Sequence, residues 1–372
     1  MFGDTAIQLS CEGKCYLGGA IGTDEYLKRF FRSKVETWVK EIKTLALLAR
    51  TQPHAVHAAT THGLVSRWTY ALRVSTLSSD EPLRPLEEAI SQTLLPVLTG
   101  QPAPSTDLRN LRALPVRLGG MGVVNPMKLR TPQQDTSLAV CEPLVAMMKE
   151  QQGTLMRAYH RQMAIKKQLR LEHNVELRKE TDRVLSALPE LLPRCVTWAQ
   201  KRGASSWLAA LPVKRFGFVL HKGAFWDALC LRYGWELRLV PERCRCGAQF
   251  ETNHVLMCRH GGYPTIRHNE LRDVLADLLR EVCKDVATEP QLQWLSGEQL
   301  PASANTQDEA RLDIRAKGFW DRQQAAFFDM RIFYPAAPSY RNSTLKSVYR
   351  QHDLKKHMGS ECVVWNLGAS LL

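Results

Sequence analysis

Leu27, Phe30, Phe31, Val35, Trp38, Ile42, Leu45 and Leu48 recur at three- or four-residue steps, the period of a helix that buries one face. Thr23 and Asp24 stand just before this stripe, with Glu25 behind them, residue types that cap and complement a helix start. Residues 15–22 read as a short strand and glycine turn leading into it. Lys28, Arg29, Lys34, Lys40 and Lys43 fall largely off the stripe; a solvated face explains them, and contact with a phosphate backbone is the alternative.

The same periodicity predicts helices over residues 55–73 and 85–98, followed by a Pro-rich break at 101–105. A glycine turn at 118–123 is closed by Asn125-Pro126, and a domain edge is expected just after it. Residues 131–200 read as mostly helical. No Gly or Pro interrupts 154–188, so a long helix or helical pair is expected there. Residues 223–233 form a short amphipathic helix carrying Phe225, Trp226, Leu229 and Cys230.

The C-terminal third changes character. A cysteine-rich loop at 244–258 leads to a helix over 268–282, whose stripe is Leu271, Val274, Leu275, Leu278, Leu279 and Val282. Strand-type segments follow at 287–294, 310–316 and 325–333, then a basic helical stretch including 347–357. The fold class is α+β, with helices through the first two-thirds and an α/β sandwich at the end.

Composition narrows the partners. With 44% hydrophobic and 23% charged residues the chain is globular rather than disordered. Its length of 372 residues and net charge of +13 suit two or three domains that attract polyanions, nucleic acid first among them. The N-terminus carries no basic-then-apolar signal, and no stretch reaches the ~20 apolar residues of a membrane span. Ten cysteines scattered along a long chain suit a reducing, intracellular compartment, nuclear or cytoplasmic, where clustered cysteines bind metal.

Cys244, Cys246, His254 and Cys258 place four soft ligands within a short loop. Three thiolates and an imidazole make a closed, structural zinc site, and the metal would supply the folding free energy of so small a loop. Gly247 permits the reversal that brings the first two thiolates together. One residue between those cysteines is fewer than usual, and His260 is a substitute ligand. Cys11 and Cys15 have no companions to complete a tetrahedral set and read as structural thiols.

Two carboxylates interrupt apolar strands further on. Period two places Leu312 and Ile314 on one face, with Arg311, Asp313 and Arg315 on the other. Phe328, Met330 and Ile332 likewise share a face opposite Asp329 and Arg331, and residues 317–324 supply a hairpin loop. Pairing these strands brings Asp313 and Asp329 together. Two facing carboxylates repel and call for a cation; magnesium takes oxygen ligands and suits phosphodiester hydrolysis. Salt bridges, Asp313 with Arg331 or Asp329 with Arg315, are the alternative.

In order along the chain, the Cys/His cluster, Arg267-His268-Asn269, Arg311-Leu312-Asp313 and Asp329-Met330-Arg331 resemble the zinc knuckle and restriction-like endonuclease, of PD-(D/E)xK type, of site-specific non-LTR retrotransposons. Tyr16-Leu17-Gly18-Gly19 is similar to the turn after a reverse-transcriptase palm. Trp38, the block from Gln52-Pro53 to Trp68, and Leu114-Pro115 with Gly119-Gly120-Met121-Gly122 resemble the thumb. The resemblance implies a thumb-like region at 1–126, a helical linker at 127–240, a CCHC knuckle at 241–262 and an endonuclease-like domain at 263–372. Asp313 and Asp329 would hold Mg or Mn, Cys244, Cys246, His254 and Cys258 a structural zinc, and Arg267 and His268 would meet nucleic acid. Arg331 stands where the motif's catalytic lysine belongs and cannot serve as a base. Lys355 or Lys356 in the following helix would replace it. Leu312 occupies the place of the motif's proline.

The paired aspartates of a polymerase are absent, so DNA or RNA and an intact element-encoded polymerase are the expected partners. Residues 361–367 do not look like a natural domain ending, and the last strand or helix of the nuclease is expected to be missing or frame-shifted. The rival expectations are a nucleic-acid-binding remnant without turnover and a helical scaffold whose basic charge is incidental.

Overall fold

The computed structural model of the protein describes residues 10–151, 154–189, 191–290, 312–334, 337–340, 343–344 and 346–351. The chain divides into two compact units, one up to Trp235 and one from Glu236. The described residues are mostly helical with two small antiparallel sheets, which is an α+β composition.

The first unit opens with a hairpin of β1 (Gly13–Tyr16) and β2 (Gly19–Gly22). Leu17 and Gly18 take positive φ in its tight turn. Helix α1 (Asp24–Ala49) starts where the sequence places it, and the Thr23 hydroxyl accepts the Tyr26 N–H at 3.3 Å. Leu27, Phe31, Val35, Trp38, Ile42, Ala46 and Ala49 are its buried face. Leu48, expected on that stripe, is 51% exposed, because the face drifts onto Ala46 and Ala49 and leaves Leu48 about 100° away.

Helix α2 (Pro53–Ala58) runs through a π turn at Ala59–Leu64 into α3 (Val65–Val74). In the same way α4 (Arg84–Glu88) passes through Ala89–Leu94 into α5 (Leu95–Thr99). The second π turn has an identifiable cause: Pro96 lacks an N–H and its ring crowds the preceding turn. Ser105 caps α6 (Thr106–Ala113), its hydroxyl accepting the Leu108 N–H.

Arg109 of α6 is buried and makes a two-pronged pair with Glu87 of α4, at 2.6 and 2.8 Å. It also donates to the carbonyls of Val123 and Val124. Arg109→Ala would strand Glu87 in the core, so a loss of about 3–5 kcal/mol of stability is expected. Denaturant unfolding of the full chain measures it; a change under about 0.5 kcal/mol would show that the pair is dispensable.

Asn125 caps α7 (Pro126–Glu150) and Thr154 caps α8 (Leu155–Ser186). The two lie antiparallel, with Gln162 donating to the Val140 carbonyl and Lys128 3.6 Å from Glu180. Then come α9 (Leu191–Ala199), α10 (Ser206–Ala209) and α11 (Lys222–Tyr233). One hydrophobic core joins Trp38, Trp68, Leu86 and Met121 to Val184, Val196, Phe225 and Leu229, so residues on both sides of position 126 share it.

Arg232 and Tyr233 of α11 clamp the glycine turn. Arg232 donates to the Val116 and Gly120 carbonyls, both at 3.1 Å, and Tyr233 to the Gly119 carbonyl. A Cβ on Gly120 would fall 1.9 Å from the Leu114 carbonyl oxygen, which leaves no room for any other residue.

His57, 1% exposed, donates from Nε2 to the Met121 carbonyl at 2.8 Å. Burial pulls its pKa from 6.5 down to about 4. Below pH 6.5 the unfolded chain binds a proton there that the folded chain refuses until about pH 4. The stability is complete above the upper value and is lost as pH falls through the window, by on the order of 3 kcal/mol. Urea unfolding at neutral and mildly acidic pH should therefore show a smaller acid loss in His57→Gln than in wild type. Equal losses would place the acid sensitivity elsewhere.

The second unit holds the short helix α12 (Thr252–Val255), then α13 (Tyr263–Val282) and a sheet of β3 (Lys284–Thr288), β4 (Ile314–Lys317) and β5 (Ala325–Phe328) in that order. Helix α13 starts five residues before the expected His268, with Pro264 in its first turn, where a missing N–H costs nothing. Ala276 and Leu279 of α13 pack with Ile314, Ala316, Ala326, Phe328 and Met330, flanked by Leu271 and Leu275. Val274, Leu278 and Val282 of the expected stripe are 56, 56 and 74% exposed. Strand β5 ends at Phe328, short of the expected 333, and β3 begins at Lys284, three residues before the expected start; residues 291–294 and 310–311 of the expected strands lie outside the described residues. The described part of the last basic stretch, 346–351, is helical.

Candidate metal centres

The cysteine loop is built by a tight reversal. Cys244 accepts the Gly247 N–H at its carbonyl and donates its own N–H to Ala248, both at 2.8 Å, with Gly247 at φ 88. Arg243 and Gln249 bridge behind it. Cys246 therefore turns back over Cys244, α12 presents His254, and Cys258 follows one turn later.

The ligand atoms of Cys244, Cys246, His254 and Cys258 all lie within 4.8 Å of one another, and Cys246 Sγ is 3.1 Å from His254 Nε2. Zn–S near 2.3 Å and Zn–N near 2.0 Å in a tetrahedron separate ligand atoms by roughly 3.5–3.8 Å, so the set fits. The Gly261 N–H holds the Cys258 thiol below its usual pKa, which favours the thiolate a metal needs. This Cys/His cluster could hold a metal such as zinc. His260 is exposed and outside the set, and the single residue between Cys244 and Cys246 suffices because the reversal does the spacing. Cys11 and Cys15 are both exposed, and Cys15 Sγ is 3.4 Å from the Tyr26 hydroxyl.

The carboxylates meet at one end of the second sheet. The β4–β5 register pairs Ile314 with Phe328 and Lys317 with Ala325, so Asp313 and Asp329 face each other one step beyond. Asp313 has a side chain only 15% exposed. It accepts the Met330 backbone N–H, and that bond takes the place of a ladder bond and ends β5 early.

His268 reaches in from α13, with Nε2 3.4 Å from Asp313 Oδ1 and 3.3 Å from the Met330 carbonyl it donates to. Burial raises the Asp313 pKa; the Met330 N–H and His268 oppose the rise, and Asp329 adds to it. Asp313 is thus partnered by His268 and the Met330 amide rather than by Arg331, which is exposed. Lys355 and Lys356 lie outside the described residues.

Arg267 sits half-buried near Tyr263 and Tyr334, where burial lowers its pKa, and its Nε has no hydrogen-bond partner. Tyr334 in turn donates to Asn253 of α12, which ties the segment after β5 to the cysteine loop. Sequence reasoning missed Glu289. Its backbone N–H donates to the Asp313 carbonyl at 2.9 Å, and its carboxylate takes Arg272 of α13. Glu289 adopts φ 50, a conformation that no periodicity reveals.

No helix among the described residues is long and apolar enough to cross a membrane. No protein-family model matches the chain, and no curated protein matches it.

Proposed function

We propose that the protein is a nucleic-acid-binding product of a non-LTR retroelement whose second unit is a restriction-like, divalent-metal-dependent DNA endonuclease. The observation that carries this reading is the facing of Asp313 and Asp329 at one sheet end, with His268 against the first. The order α13–β3–β4–β5 and the net charge of +13 support it.

Asp313 and Asp329 would hold Mg or Mn, since mutual repulsion in a half-buried setting is what a hard cation relieves. The ion, when bound, would supply an activated water and a polarised phosphodiester. His268 and the Met330 amide fix the Asp313 carboxylate in place. Arg267, half-buried on α13 beside His268, would turn its guanidinium to a phosphate oxygen. Arg331 would neutralise phosphate charge but cannot take a proton.

That arginine favours a second reading, a binding remnant without turnover. Incubating the zinc-loaded chain with supercoiled DNA and Mg or Mn decides between them. Nicking that needs the divalent ion supports the nuclease. A folded protein that binds DNA and never cuts it supports the remnant, and one that binds no nucleic acid refutes both.

A further inference from the structure

No acidic residue occurs between Glu190 and Asp227, a stretch that includes Arg194, Lys201, Arg202, Lys214, Arg215 and Lys222. Within it, a 3₁₀ turn at Lys214–Phe216 and Gly217 at φ 72 reverse the chain. The reversal leaves Phe216 and Phe218 side by side in solvent, 56 and 54% exposed, with ring centroids 5.8 Å apart. The Arg215 guanidinium lies 4.5 Å over the Phe216 ring.

The loop is not loose. Phe216 and Phe218 both donate N–H to the Val213 carbonyl, and Leu220 donates to the buried His54. His221 then caps α11 through the Ala224 N–H. Fully burying a phenylalanine is favourable by roughly 1.5–3 kcal/mol, so an anchored backbone that holds two of them out together presents them to a partner.

We infer that the Phe216–Phe218 loop is a stacking platform for single-stranded nucleic acid. Flat rings with a guanidinium on one face offer π surfaces that bases of any sequence can cover. Exposed Lys214, His221 and Lys222 surround them and suit the phosphates between those bases. A duplex hides its base faces in the stack, so the platform selects single strands. An uncharged lipid or an apolar protein partner would not call for the acid-free, basic surround, and an anionic lipid surface is the outcome that the vesicle measurement separates. The inference rests on the nucleic-acid reading above and is independent of cleavage.

The test measures binding of the full chain, in magnesium-free buffer, to a fluorescein-labelled oligothymidylate and to a mixed-sequence duplex. Replacing both Phe216→Ala and Phe218→Ala should weaken single-strand binding about 10- to 100-fold and leave the duplex nearly unchanged. Replacing both by Tyr should retain single-strand affinity, and the exposed rings can be removed without altering the melt. Unchanged single-strand affinity in the double alanine variant overturns the platform alone. Equal weakening on both strand forms overturns it in favour of a purely electrostatic surface, and preferential capture by phosphatidylserine vesicles overturns it in favour of lipid. A wild-type chain that binds neither nucleic acid overturns the parent reading as well.

Discussion

Asp313→Asn is expected to lower divalent-dependent nicking by on the order of 10³-fold, since a metal's charge stabilisation is worth several kcal/mol and each 1.36 kcal/mol is tenfold in rate. The folded state should survive. Asparagine keeps an oxygen to accept the Met330 N–H that Asp313 now takes. It also removes a carboxyl whose ionised form burial disfavours, so stability should hold or rise. His268 remains able to donate to the Met330 carbonyl. Nicking rates beside thermal melts of the same sample give both readouts. Cleavage at wild-type rate in the asparagine variant would remove Asp313 from the chemistry.

Cys258→Ser is expected to abolish tight metal binding by the loop. Structural zinc contributes roughly 10–16 kcal/mol of apparent binding free energy in small Cys/His sites, and Cys258 is one of the two buried ligands. Besides the metal, residues 244–258 are held by one short helix, one bridge, the backbone turn at Gly247 and the Tyr334–Asn253 hydrogen bond. Cobalt substitution reports the outcome, with the tetrahedral visible band of wild type missing from the variant. Helical content should barely change, because α12 spans only Thr252–Val255. A variant that keeps the band would assign the fourth ligand elsewhere.

Much of the framework is legible from residue order. The Thr23 cap, the uninterrupted run behind α8 and the alternation in β4 and β5 each depend on neighbours a few positions away. Asp313 opposite Asp329 follows from two strands and a hairpin loop, and the Cys/His set from ligand type and spacing. What escapes is set by partners distant in sequence. Whether Val274 or Ala276 of α13 is covered depends on where the sheet lies, which the helical period does not encode. Strand β5 ends at Phe328 because a side chain 17 positions earlier takes the Met330 amide. Glu289 joins the carboxylate edge through a backbone bond and a left-handed residue, neither of which leaves a compositional trace. The π turns pass for ordinary helix in any periodic reading.

The clamp of α11 on the glycine turn also has a consequence in time. Arg232 and the Gly120 carbonyl it holds are 112 positions apart. At about 5–20 residues per second of synthesis, the turn emerges and waits roughly 6 to 22 s before its clamp exists. During that interval the first helices have their local periodicity but lack Phe225, Leu229 and Tyr233 from the core they share. The unit is therefore completed from its far end, and a ribosome that stalls before α11 leaves the helical half of the molecule open.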